Sequence, residues 1–165
     1  MREIKFRGKR IDNGEWVYGY IVKVASPCGL GWVMHIPAKD PDDNHRVVQV
    51  NPSTVGQYTG LKDKNGTEIF EGDAVCYRAF ASYDYRGIVR FGEYEQDGSG
   101  DEYAQSKCIG FFIERTAWIP QEWQDLEDEA FCLPEYEKTI SLLEVEELEI
   151  IGNIHDNPEL LGGTE

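Results

Sequence analysis

The side chains best suited to nucleophilic or acid–base work near neutral pH are His35, His45 and His155, with Cys28, Cys76, Cys108 and Cys132. A catalytic thiol or hydroxyl needs a base held against it. Cys28 and His35 stand at opposite ends of a glycine-containing corner with nothing in the sequence to join them, and neither a G-x-S-x-G elbow nor an H-E-x-x-H pattern occurs. The cysteines show no C-x-x-C spacing, which argues against a zinc ribbon or a dithiol redox motif and leaves reduced, buried thiols as the reading. The loop Asp40-Pro41-Asp42-Asp43-Asn44-His45 copies the first ligands of a calcium loop at Asp40, Asp42 and Asn44. It then places His45 where the sharp turn requires Gly and Asn51 where a bidentate Glu is needed, so it reads as a solvated acidic turn. Gly92 to Gly100 has the glycines of a phosphate cradle but no Lys-Ser/Thr, and it is strongly acidic. No catalytic, cofactor-binding or metal-ligating residue is assigned, and no cofactor is required. The reading is a protein that binds and does not catalyse.

What it binds is constrained by charge. The chain of 165 residues has a formal net charge of -15 and a sequence pI of about 4.5. The charge is segregated: residues 1–80 carry 11 Lys and Arg against 10 Asp and Glu, residues 81–165 carry 5 against 21. Such a field repels phosphate and favours basic partners. Tyr77, Phe80, Tyr83 and Tyr85, interleaved with Arg78, Arg86 and Arg90, have the composition of a base-stacking platform. The same aromatics equally suit the core of a small β domain. The basic opening, Arg2, Lys5, Arg7, Lys9 and Arg10, reads as a protected strand edge, or as a surface that meets the acidic half of another copy or of its own chain. Glu122 to Glu129 and Glu144 to Glu149 form a solvated face or, in the sharper reading, an adaptor or decoy surface for a basic protein. The leading expectation is thus a non-enzymatic protein–protein interaction module, with self-association into a homo-oligomer allowed. The alternatives are a single-stranded nucleic-acid-binding β-barrel and a small hydrolase with an unrecognised site. No apolar run is long enough to span a bilayer and no signal-peptide core is present, so the expected location is cytoplasmic.

The elements that must position these residues are short strands punctuated by turns. Arg2 to Arg7 alternates apolar and charged residues, and Asp12-Asn13-Gly14 turns the chain into Trp16 to Val24 as a hairpin. Trp32 to Ile36 and Arg46 to Val50 follow, then Asn51-Pro52-Ser53 as another turn. Gln57 to Leu61 pairs with Thr67 to Phe70 across Asn65-Gly66, which is read as a primed turn with positive φ at both residues. Gly72-Asp73 then leads into Ala74 to Arg78. Gly87 to Phe91 and Ile109 to Arg115 are strands around a mobile loop over Gly92 to Lys107. Trp123, Leu126, Ala130 and Phe131 predict a short helix over Pro120 to Phe131. Val145 to Gly152 is a closing strand, and Asn157-Pro158 caps a last helical turn over Glu159 to Leu161.

Three of these stretches carry a resemblance. REIKFR at Arg2 to Arg7, QYTGLKDKNG leading into IFEGDAV across Gln57 to Val75, and IIGNIHDNPELL at Ile150 to Leu161 resemble, in that order, the opening strand, central signature and ending of the YopX family of phage and prophage proteins. The resemblance implies a small, mostly β, prophage-encoded protein whose C-terminal part is an SH3-like barrel, and it carries over no catalytic residue. The fold class expected is therefore mainly β: short antiparallel strands, an N-terminal β unit followed by an SH3-like barrel, and one or two short helices. The domain reading is a β-hairpin unit over 1–55 and the barrel, with an acidic helical insertion, over 56–165, or one compact domain.

Overall fold

Glycine reversals and period-2 alternation produce eleven strands and two 3-10 turns in the computed structural model, which describes residues 3–26, 29–37, 46–79, 83–96, 106–116, 139–143 and 145–161. The chain divides into two compact units, one of residues 1–62 with 68–71 and one of residues 63–67 with 72–165.

The first unit is an antiparallel sheet built from β1 (Phe6–Lys9), β2 (Trp16–Ser26), β3 (Gly29–Ile36), β4 (Arg46–Gln49), β5 (Gly56–Lys62) and β6 (Glu68–Phe70), in the order β4-β3-β2-β1-β5-β6. The first strand begins at Phe6, later than the expected Arg2. β2 serves two neighbours, pairing Trp16 to Gly19 with β1 and Tyr20 onward with β3. Gly19 stands at the change of partner because any Cβ there would run into the carbonyl oxygen of His35. Met34 and Val50 are fully buried, and the bare face of Gly8 lies against them and Val55. Asn51 caps a 3-10 turn, η1 (Pro52–Thr54), its side chain accepting from the Ser53 N–H at 3.1 Å.

The β5–β6 connection differs from the expected primed turn. Only Gly66 has positive φ, +82°. Its N–H donates to the Asp63 carbonyl at 2.9 Å and the Asp63 N–H to the Thr67 carbonyl at 2.8 Å, the pattern of a type I turn followed by a left-handed glycine. The reason is the Asp63 carboxylate, which accepts from the N–H of Asn65 at 2.9 Å and of Thr67 at 2.8 Å and so holds Asn65 in the right-handed region.

The second unit contains β7 (Asp73–Ala79), β8 (Tyr83–Gln96), β9 (Ser106–Arg115), β10 (Thr139–Ser141), β11 (Glu146–Asn153) and η2 (Pro158–Leu161), with the sheet ordered β10-β9-β8-β7-β11. Its core includes Val75, Tyr77, Ile88, Val89 and Ile113. The mainly β class holds, as do the closing strand and the final helical turn. The expected SH3-like barrel needs correction: the described strands form open antiparallel sheets, not a closed barrel. The sheet does curl, since Thr139, whose strand pairs with β9, also donates its hydroxyl to the Glu95 carbonyl of β8 at 3.2 Å. The end strand β11 joins β7 through an interrupted ladder and carries Glu147 at φ +51°.

A second correction concerns the expected loop over Gly92 to Lys107. Its flanks are strand: β8 continues to Gln96 and β9 starts at Ser106, with unbroken register from Gly87↔Arg115 to Gln96↔Ser106. Gly92 and Gly110 face each other in this ladder, and the rings of Phe112 and Tyr94 lie over the two positions, each 3.9 Å from where a Cβ would stand. Those rings stack at 5.2 Å and cover backbone that local composition marks as a breaker. The helix expected over Pro120 to Phe131 lies outside the described residues.

Candidate interaction surfaces

The residues singled out for chemistry fall partly outside the described residues, and the described ones lie on separate elements. Cys28, His45, Cys132 and the whole of Asp40 to Asn44 lie outside the described residues, as do Glu122 to Glu129. His35 sits near the end of β3 opposite Tyr20 and Val47, and His155 in the turn after β11. Cys76 and Cys108 are half-buried and lie on different strands. Among the described residues no three His, Cys, Asp or Glu gather so as to hold a metal ion.

Of the aromatic and arginine cluster read as a stacking platform, Tyr77 is buried, Tyr85 and Arg90 are half-buried and Arg86 is exposed. Tyr77 is 1% exposed and its hydroxyl accepts from Arg115 Nε at 2.9 Å. Burial, partly offset by Arg115, pushes its hydroxyl above the ordinary value of 10.0. Tyr85 stacks on Tyr77 at 5.8 Å and lies under the Arg115 guanidinium at 5.0 Å, while Arg90 is ion-paired with Glu114 at 3.0 Å. Phe80 lies outside the described residues. Arg115, which the sequence reading left out, organises this group; only its cross-strand place opposite Gly87 brings it there.

Of the basic opening, Arg2 lies outside the described residues and Lys5, Arg7, Lys9 and Arg10 are engaged within the first unit. Arg7 is buried, with its guanidinium 4.8 Å from the Trp16 ring and 5.0 Å from Phe70, and it donates to the Glu71 carbonyl at 3.1 Å. Lys5 lies 4.9 Å over Tyr58 and pairs with Glu68 at 2.5 Å. Lys9 Nζ also lies over the Trp16 ring, at 5.3 Å, and Arg10 pairs with Asp12 at 2.5 Å. This ladder of cations and rings is a packing device.

The signature residues converge in the second unit, where they make structural pins. Asp63, besides closing its turn, accepts from the Ile150 N–H at 3.4 Å, and the neighbouring Lys64 N–H donates to the Leu148 carbonyl at 2.8 Å. Buried Asn153 donates to the Gly72 carbonyl at 3.0 Å and to Asp73 Oδ1 at 3.3 Å, and accepts from the His155 N–H at 2.9 Å. Asp73 is 1% exposed. Thus Gly72-Asp73 and the turn Asn153 to His155 form one clasp, and the Gly72 N–H also donates to the Val89 carbonyl at 2.9 Å.

Two apolar strand faces stay open to solvent. In the first unit Tyr18, Tyr20, Val22 and Val24 point to one side of β2, and Val47 on β4 shares that side. In the second unit Phe91, Phe111 and Ile109 share one side of the β8–β9 ladder with Glu93, Glu95 and Lys107. Sequence patterning missed both, because alternation shows which residues share a side but not whether that side is covered.

The chain matches the YopX protein family over residues 5–162. No curated protein sequence matches it. Among solved structures it is similar to protein EF1440 from Enterococcus faecalis, at 21% identity, with 98% of this chain and 100% of that chain covered and a TM-score of 0.43.

Proposed function

The chain belongs to the YopX protein family, and from that premise we propose that it is a phage- or prophage-encoded, non-enzymatic binding protein that acts as an adaptor or decoy for another protein. One observation supports this reading: the polar side chains Asp63, Asp73 and Asn153 of the family signatures are buried in hydrogen bonds that join turn to strand, so these three hold the fold. Strand faces are what the described residues offer a ligand. The charge balance selects the partner class. The first unit has nine Lys and Arg against eight Asp and Glu, the second seven against twenty-three, so a basic protein is drawn to the second. Nucleic acid is disfavoured by the same field and by the internal engagement of Tyr77, Tyr85 and Arg115. Among the described residues no helix is long and apolar enough to cross a membrane.

Affinity capture with the full-length chain, run in parallel at low and high salt against a host lysate, tests the reading. The expected result is a small set of basic proteins retained at low salt and released as screening rises. Retention of nothing at any ionic strength, or turnover of a generic ester or phosphate substrate by the pure protein, would overturn it.

A further inference from the structure

The open side of the β8–β9 ladder has a composition that specifies its ligand. In the sheet register β7 pairs with β8 only as far as Ile88, and β10 pairs with β9 only at Phe112 to Glu114. Beyond those points the ladder joins Val89 to Gln96 with Ser106 to Ile113, and further contacts fall on the carbonyls of Val89, Phe111 and Glu95, which accept from the Gly72 N–H at 2.9 Å, the Leu142 N–H at 3.4 Å and the Thr139 hydroxyl at 3.2 Å. The two sides of this stretch are unlike. On one, Tyr94 and Phe112 stack at 5.2 Å over the glycine pair, and Arg90 is held by Glu114. On the other, Val89 and Ile113 are fully buried where the ladder enters the core, but the next residues outward are open: Phe91 is 51% and Ile109 74% exposed. Exposed Phe91 meets half-buried Phe111 edge-on at 5.0 Å. Glu93 stands directly across from Ile109 and Glu95 across from Lys107, and neither carboxylate is ion-paired with a described residue.

We propose that this side of β8–β9 is a docking surface for a basic amphipathic segment of a protein partner, with exposed Phe91 and Ile109 taking its apolar residues and Glu93 and Glu95 its Lys or Arg side chains. The proposal rests on the binding-protein reading above and gives it a location and a ligand chemistry. Charge complementarity selects the occupant. The surface carries two carboxylates that pair with no cation among the described residues, against Lys107, within a unit of seven basic and twenty-three acidic residues. A cationic segment is steered toward it and an acidic or phosphate-bearing one is repelled. An exposed aromatic side chain such as Phe91 is the type of anchor that dominates interface energetics, and flanking charge sets orientation and on-rate.

The test uses the full chain and a fluorescein-labelled 14-residue peptide of Leu and Lys, ordered to form an amphipathic helix, with a second peptide of the same composition in scrambled order. The expected result, by fluorescence anisotropy at near-physiological salt, is binding of the amphipathic peptide about tenfold or more tighter than the scrambled one. Phe91→Ser with Ile109→Ser removes that preference. Glu93→Gln with Glu95→Gln weakens binding of both peptides and flattens its salt dependence. Both pairs replace exposed or half-exposed side chains, and unchanged thermal midpoints confirm that the fold is retained. Equal affinity for the two peptides, indifference of the preference to Phe91→Ser with Ile109→Ser, or a dimer of the free chain that this double variant dissociates would overturn the proposal. A lysate partner retained equally by wild type and Phe91→Ser with Ile109→Ser would overturn this surface while leaving the binding-protein reading in place.

Discussion

At Asp63, burial and hydrogen bonding act in opposite directions on one carboxyl. Burial alone would raise it, but the N–H groups of Thr67, Ile150 and Asn65 together outweigh that and hold it below its ordinary value of 3.8. Replacing it with Ala leaves those donors without their acceptor, and the expected loss is about 1–3 kcal/mol at neutral pH. Because the folded value is depressed, its contribution to stability is complete above the unfolded value and declines as pH falls through the folded one. Denaturant melts of wild type and Asp63→Ala should therefore differ by a constant amount from neutral pH down to about 5 and converge below about 4; a gap that persists at pH 2 would mean that the carboxylate is not the source. Asn153 gives the converse case. Asn153→Asp exchanges the amide donor that lies 3.3 Å from Asp73 Oδ1 for a second carboxylate. We expect it to destabilise by about 3 kcal/mol or more at neutral pH, with stability recovering on acidification as one of the pair takes a proton. Stability that is flat with pH in this variant would contradict the contact.

Among the elements, the glycines separate backbone conformation from steric approach. Gly66 has φ +82° and open space where a Cβ would go, so Gly66→Ala carries only the left-handed cost of about 1–2 kcal/mol. Gly19 has ordinary φ, but its Cβ would meet the His35 carbonyl where β2 leaves β1 for β3. Gly19→Ala should cost more than Gly66→Ala, since a strand crossing must shift. Equal thermal midpoints for the two variants would show that the crossing can open freely. The same comparison explains what was legible in the sequence. Gly66 and Gly14 announce turns through φ, a property of the residue and its neighbours. Gly92 and Gly110 look like the same signal and are strand, because the rings of Phe112 and Tyr94 cover them from across the ladder. The type of turn at Asn65-Gly66 was misread for a related reason: the Asp63 side chain, not the dipeptide, decides it.

For the molecule as a whole, a formal net charge of -15, mostly in the second unit, works against compactness. Raising salt from about 10 mM to about 200 mM should therefore lift the thermal midpoint by a few degrees, as screening relieves self-repulsion faster than it weakens surface pairs such as Lys64–Glu149 at 2.5 Å. A midpoint that falls with salt would place the ion pairs ahead of the repulsion. The sequence alone determined the strand periodicity, most of the positions where the chain reverses, the mainly β class and the uneven charge, because each is a property of neighbouring residues or of composition. Tertiary structure alone decided that Asp63 reaches Ile150, that Asn153 holds Gly72 and Asp73, that Arg7 lies between Trp16 and Phe70, and that Phe91 and Ile109 face solvent while Val89 and Ile113, on the same side, do not. Those contacts join residues far apart in the chain, and they depend on which strands become neighbours and in what register, a choice made by the summed burial of whole sheets that no local stretch encodes.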